Sequence, residues 1–411
     1  MNRRECRSCG STLQHTFVDL GMSPLSNAYL QSEQLNQMEP FYPLHARVCD
    51  QCYLVQLEQF EHPEKIFGDY AYFSSYSKSW LSHAREYAER AVERFHLDRE
   101  SLVVEVASND GYLLQYFQKK GIPVLGVEPA RNVADAARKK GIPTVSKFFG
   151  LETARELLAA GQQADLIVAN NVLAHVPDVR DFVAGLKLAL KPSGIVTVEF
   201  PHLFRLIAGN QFDTIYHEHF SYFSFSTAEG IFRKHGFRVF DVEETPTHGG
   251  SLRLYACHEE APSQPIECGV SQLREREIAA GMRDLKTYFG FGERVRETKR
   301  SLLDLLIALK REAKSVVGYG APAKGNTLLN YCGIGKDFLD YTVDISPHKQ
   351  NHFLPGTHIP IYSPERIQST QPDYILILPW NLRDEIIEQL AGIRRWGGRF
   401  IIPIPRPEVV E

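Results

Sequence analysis

The feature that most constrains this chain is a regular alternation of short apolar runs with amphipathic stretches over residues 101–199. Residues 101–107 (SLVVEVA) form a continuous apolar run of the kind buried on both faces of a parallel sheet; Ser108-Asn109-Asp110-Gly111 and a helix at 112–120 follow. The rhythm continues with a strand at 124–128, a helix at 131–140, a strand at 144–145, a helix at 151–160, a strand at 164–169, a helix at 179–190 and a strand at 195–199. This pattern predicts a doubly wound α/β domain. A helix beginning at Ser226 with capping-box spacing to Glu229 is expected next, then two closing strands, 237–242 and 251–255, joined through 245–250.

A second α/β unit begins at 314–318 (KSVVG), where Gly318-Tyr319-Gly320-Ala321-Pro322-Ala323-Lys324 turns into a helix and Asp344 ends the next strand, 339–344. This is a βαβ fingerprint with Ala323 in place of the third glycine; Lys324 and the helix start are placed to hold a diphosphate, and Lys349 and Gln350 add donors. A last strand, 374–378, ends in Pro379-Trp380-Asn381. Charged amphipathic helices over 270–313 read as the connector, and 79–95 as a helix leading out of the N-terminal segment.

That segment carries Cys6, Cys9, Cys49 and Cys52, two C-x-x-C pairs separated by 39 residues. The doubled motif points to zinc, and four thiolates leave no open position for water, so the metal would be structural. Cys257, Cys268 and Cys332 show no pairing pattern. A net charge of −4 creates no field that draws a chain of 411 residues to nucleic acid or anionic lipid. No apolar run approaches the ~20 residues of a membrane span, and the start is polar, so a cytoplasmic protein is expected, monomeric or weakly self-associating.

The loop Glu105-Val-Ala107-Ser-Asn109-Asp-Gly111 lacks the glycines that bring backbone beside a pyrophosphate. An acid within the strand suits a cationic, phosphate-free ligand such as S-adenosylmethionine, and Glu128 at the end of the second strand is placed to accept from a ribose diol. Asn170 and Asn171, at the carboxyl edge of the sheet, either meet this ligand or cap a turn. Beyond lies QFDTIYHEHF, residues 211–220, where two histidines, a carboxylate and a phenol in consecutive positions favour proton transfer over core packing. Tyr72 belongs to a loop rich in tyrosine and serine, which is either a packed surface cluster or a pocket lining.

Together the four cysteines, the E-x-x-x-N-D-G loop, the Y-x-E-H stretch at 216–219, His248-Gly249-Gly250 and the G-Y-G-A-x-A-K segment resemble the nucleotide-deoxysugar C-methyltransferases of antibiotic and polysaccharide biosynthesis. The resemblance covers essentially the whole chain. It implies a zinc-binding module at 1–78, a class I methyltransferase domain at 79–300 and a Rossmann-like nucleotide-sugar domain at 301–411. It implies that a nucleoside-diphosphate 4-keto-6-deoxyhexose loses the proton beside its ketone and is methylated there, at C3 or C5. His219 resembles the family's base, with Glu218 orienting it, Tyr216 holding or polarising the sugar, and Tyr72 and His175 near the reacting centre. His217 is assigned no part. The methyl donor is expected at Glu105, Ala107, Asn109, Gly111, Glu128, Pro129, Phe148, Asn170 and Asn171; Ala107 departs from the glycine usual in such loops. The nucleotide sugar is expected at His248, Gly249, Tyr319, Lys324, Asn326, Lys349, Trp380 and Asn381. Two other readings stay open: a nicotinamide-dependent oxidoreductase, from the 318–324 loop and Asp344, and a metal enzyme with His217 and His219 on one strand face.

Overall fold

The alternation does fold into a parallel sheet. A computed structural model describes residues 5–64, 68 and 73–411. Its N-terminal sheet contains β1 (His15–Ser23), β2 (Tyr42–Val48) and β3 (Val55–Leu57). The central sheet is built from β4 (Val103–Val106), β5 (Val124–Val127), β6 (Thr144–Val145), β7 (Ala164–Asn170) and β8 (Leu190–Pro201), closed by β10 (Phe237–Thr245) and β11 (Ser251–His258). Between these comes β9 (Ser221–Tyr222), which pairs not with the central sheet but with β3, giving the N-terminal order β1-β2-β3-β9.

The central order is β10-β11-β8-β7-β4-β5-β6, with β11 antiparallel to both its neighbours and the β4 to β8 pairings parallel. This is the class I methyltransferase architecture that was expected. All four residues of β4 and of β5 are buried, which is why both read as unbroken apolar runs. The C-terminal sheet comprises β12 (Val316–Tyr319), β13 (Thr342–Val343), β14 (Ile361–Tyr362), β15 (Tyr374–Ile377), β16 (Arg399–Ile402) and β17 (Glu408–Val410), ordered β14-β13-β12-β15-β16-β17.

Two expectations shift. The helix Phe225–Lys234 is capped by Ser224, whose side chain accepts from the Thr227 amide at 3.1 Å, not by Ser226. Residues 211–220 form a short 3-10 turn at Phe212–Thr214 followed by irregular chain, so His217 and His219 do not share a strand face. The connector is three helices, Cys268–Ala279, Leu285–Phe289 and Phe291–Arg311. In the last, Phe291 stacks on Phe17 of β1 at 4.5 Å, and Val295, Leu302 and Leu306 enter the core that also holds the C-terminal sheet. The expected 300/301 division falls inside this helix.

Among the described residues, no helix is long and apolar enough to cross a membrane.

Candidate active site

A cavity of about 570 Å³ opens at the carboxyl edge of the central sheet, walled on other sides by Asn27 and Tyr29 and by the start of the helix Ala323–Cys332. Its walls include Ala107, Asn109, Glu128, Pro129, Phe148, Asn170 and Asn171 from the central sheet, His175, Thr214, Tyr216, Glu218, His219 and His248 beyond it, and Lys324 and Lys349 from the C-terminal unit. Four of these, Ala107, Asn109, Asn171 and His248, have positive φ angles between 49° and 57°. Such angles are costly for residues with a Cβ, and their concentration here is typical of chain bent to build a site.

At the carboxyl end of β4 the loop is shaped by close approach. A Cβ on Gly126 of β5 would lie 2.4 Å from Ser108 Oγ, and one on Gly111 would lie 2.9 Å from Ile142 Cγ1, so Gly111 is a turn residue and does not line the cavity. Ala107 takes φ +57°, the conformation that explains why glycine is usual at this place. Glu105 is fully buried beneath the loop and, like Gly111, does not line the cavity; neither carboxylate oxygen is in a hydrogen bond of normal geometry, and Tyr112 lies beside it. Desolvation pushes its carboxyl well up. Asn170 Oδ1 and the side-chain Oδ1 and Nδ2 of Asn171 are also buried and unpaired. Orphaned acceptors around a buried acid suit a ligand bearing positive charge and donors, which S-adenosylmethionine is. Glu128 accepts from the Asn109 and Ala130 amides at 2.9 Å, keeping lone pairs for a diol, and burial raises its carboxyl to about 7.

Opposite this loop, His219 has both ring nitrogens engaged. Nδ1 lies 3.0 Å from the Thr214 carbonyl and must donate to it, which leaves Nε2 as the lone-pair nitrogen accepting from the Tyr216 hydroxyl at 2.8 Å. The orienting group is therefore the Thr214 carbonyl, not Glu218. Glu218 Oε1 instead accepts from Asn27 Nδ2 at 2.6 Å, and Tyr29 donates to Asn27 Oδ1 and to the Ala321 carbonyl. His175 meets His219 edge-on with centroids 4.7 Å apart. Desolvation, with His175, His248 and Lys324 nearby, holds the His219 pKa well below its ordinary value; desolvation likewise takes His175 and His248 to about 4. His217 turns away, with Nε2 3.2 Å from the Pro43 carbonyl and its ring packed on Tyr42 and Phe60.

The far wall corrects part of the substrate expectation. Lys324 is half-buried, its Nζ 2.7 Å from Asn381 Oδ1 and 4.6 Å from the Trp380 ring, and Trp380 Nε1 donates to Asp213 at 2.6 Å. Trp380 and Asn381 thus hold Lys324 and do not line the cavity. Neither do Tyr319, which donates to Gln389, Asn326, which is enclosed in its helix, or Gly249, where a Cβ would meet Trp380. Asp344 accepts from the Ala321 amide in the loop after β12 and from the Ser346 amide, pairs with Lys349 at 3.4 Å, and does not line the cavity. Tyr72 lies outside the described residues. Asn27, Tyr29, Trp80 and Tyr112 line the cavity without having been singled out, because no motif marks them.

His248 is set by a buried network. Its neighbour Thr247 donates to Glu199 Oε1 at 2.9 Å, and Glu199 also pairs with Arg253 and His83. Burial opposes charge on Glu199, but Arg253 and His83 outweigh it and hold the carboxyl at about 2.

On the N-terminal side the four sulfurs of Cys6, Cys9, Cys49 and Cys52 lie within 4.8 Å of one another, with Cys6–Cys52 and Cys9–Cys49 at 3.5 Å. A tetrahedral zinc with ~2.3 Å bonds needs sulfurs about 3.8 Å apart, so the set fits. Gln56 Nε2 and the Gln51 amide donate to Cys6 and Cys49 sulfur at 3.3 and 3.4 Å, as suits thiolates.

Three family models match along the chain: "Putative zinc binding domain" over 6–67, "Methyltransferase domain" over 80–242 and "C-methyltransferase C-terminal domain" over 246–405. The C-methyltransferase NovU of Streptomyces niveus is 37% identical over 407 residues, covering 99% of this chain and 97% of that protein. The chain belongs to the C-methyltransferase family. This C-methyltransferase depends on S-adenosylmethionine and carries a zinc-binding N-terminal domain. Its central region is also 27% identical over 118 residues to a ubiquinone biosynthesis O-methyltransferase of Rhizobium etli, covering 27% of this chain and 48% of that one. A solved magnesium protoporphyrin IX methyltransferase of Synechocystis PCC 6803 with bound S-adenosylmethionine aligns at TM-score 0.34 and 15% identity, covering 47% of the C-methyltransferase and 88% of its own chain. The family models and the match to NovU favour methyl transfer over the nicotinamide reading.

Proposed function

We propose that this C-methyltransferase acts on a nucleoside-diphosphate 4-keto-6-deoxy sugar, removing the proton beside the ketone with His219 and leaving the carbanion to take the methyl group at C3 or C5. The observation that carries the reading is that one cavity is shared by His219, Tyr216, the loop after β4 and two half-buried lysines. Bound S-adenosylmethionine would supply an electrophilic methyl, held by Asn109, Glu128, Asn170 and Asn171, with Glu105 beneath them. Thr214 fixes the His219 tautomer, so Nε2 receives the proton as the C–H bond breaks. In the resting site Tyr216 covers that lone pair; when substrate displaces the contact, its O–H is free to turn to the enolate oxygen. Lys324 and Lys349 are the cations for the diphosphate end. We assign Tyr72 and His175 to the surroundings of the sugar.

Two outcomes follow. Glu128→Gln replaces one acceptor oxygen by a donor and is expected to weaken S-adenosylmethionine binding about tenfold, measured by calorimetry, because hydrogen bonds to a carboxylate contribute ~1.5–3 kcal/mol. An unchanged affinity would contradict the ribose role. The low His219 pKa keeps the base neutral far below pH 6.5. Turnover at pH 5.5 is therefore expected within about twofold of that at pH 7.5, where a base titrating at ~6.5 would lose about tenfold.

The reading itself is tested by incubating enzyme, sugar nucleotide and D2O without S-adenosylmethionine. Deuterium should enter the carbon beside the ketone, and a panel of 4-keto-6-deoxy sugar nucleotides that takes up none above the rate without enzyme would count against it.

A further inference from the structure

We infer that Arg7, inside the first cysteine knuckle, is a positioning residue for the base, and that the zinc module works in catalysis by holding the chain on either side of the reacting histidines. Arg7 lies between Cys6 and Cys9 and is buried. Its guanidinium is satisfied by backbone carbonyls from three distant segments: Nη1 donates to Leu57 of β3 and to Phe220 at 3.2 Å, and Nε donates to Pro177 at 3.0 Å. Phe220 directly follows His219, and Pro177 follows the cavity residues His175 and Val176. The same guanidinium sits 5.4 Å over the Phe220 ring.

The anchoring is redundant in a way that a surface contact is not. The Phe220 carbonyl also accepts from the Leu57 amide at 3.0 Å, its amide donates to the Ala174 carbonyl at 2.7 Å, and the next two residues are β9, paired to β3. On the metal side, the Arg7 amide donates to Gln56 Oε1 at 3.0 Å while Gln56 Nε2 donates to Cys6 sulfur. A continuous set of hydrogen bonds therefore runs from a zinc ligand through Gln56 and Arg7 to the residue after the base. A neutral or shorter side chain at this place leaves buried carbonyls short of a donor and frees the 219–220 segment to shift. Displacements of ~1 Å at a reacting group cost up to about 10²-fold in rate.

The inference rests on His219 being the base, and the test separates the two claims. Full-length R7Q and R7K are compared with the unaltered enzyme for zinc content, S-adenosylmethionine affinity, turnover and peptide-level hydrogen exchange. R7Q is expected to keep its zinc and bind S-adenosylmethionine within about twofold, to exchange faster over 214–222, and to lose about tenfold or more in kcat with KM for the sugar little changed. R7K, which keeps the charge and one donor group, should recover part of the kcat. Normal turnover in R7Q would overturn the inference; so would loss of zinc in step with loss of turnover in both variants, since Arg7 would then be holding the metal knuckle alone. H219N assayed beside them divides the outcomes. If H219N is active while R7Q is impaired, the base assignment fails and the tether stands; if H219N is inactive and R7Q normal, the tether alone fails.

Discussion

His219→Asn lowers kcat by ~10²–10⁴ while S-adenosylmethionine affinity stays within about twofold. The asparagine amide can still donate to the Thr214 carbonyl, so the turn at 212–214 survives, but no basic nitrogen remains at the position of Nε2. The donor loop after β4 lies on the opposite wall and contains none of the altered atoms. Steady-state kinetics and calorimetry on the same preparation check both halves, and turnover within tenfold of the unaltered enzyme would remove His219 from the role of base.

The second large effect concerns the metal. Chelation of zinc, or Cys49→Ser, is expected to unfold the N-terminal module and abolish turnover. Apparent zinc-binding energies of about 10–16 kcal/mol in small zinc peptides rival the whole stability of a domain, ~5–15 kcal/mol. Cys6 and Cys49 are themselves buried in the core that contains Phe223, Phe225 and one face of the central sheet, so the loss would not stay local. Because β9 pairs with β3, the residues after His219 lose their partner strand when the module opens. Metal analysis should find one zinc per chain in the active protein; a zinc-free preparation with normal circular dichroism and normal turnover would contradict this.

What could be read from the residues, and what could not, follows from the range of the interactions involved. β4, β5 and β7 were legible because strands buried on both faces must be apolar throughout, and the cysteine pairs because a metal demands ligands at close spacing. Glu128 and Asn170 sit at strand ends, the sheet edge to which the alternating pattern points, and both line the cavity. The tautomer of His219 was not legible. It depends on a carbonyl five residues back, brought round by an irregular turn that carries no periodic signal. The resemblance implies that Glu218 orients the histidine, yet its Oε1 accepts from Asn27, 191 positions away. On the C-terminal side the fingerprint analogy placed Tyr319, Asn326, Trp380 and Asn381 at a ligand. None of these four lines the cavity, nor does Asp344, which pairs with Lys349; from the C-terminal expectations the cavity takes Lys324 and Lys349.

The most direct test of the central claim is to give the enzyme methyl-labelled S-adenosylmethionine with a panel of nucleotide 4-keto-6-deoxy sugars and to locate the label by NMR. The account predicts a label bonded to carbon at C3 or C5, next to the ketone, and none in the H219N product; a label on a sugar oxygen, or a carbon-bound label formed equally by H219N, would contradict it.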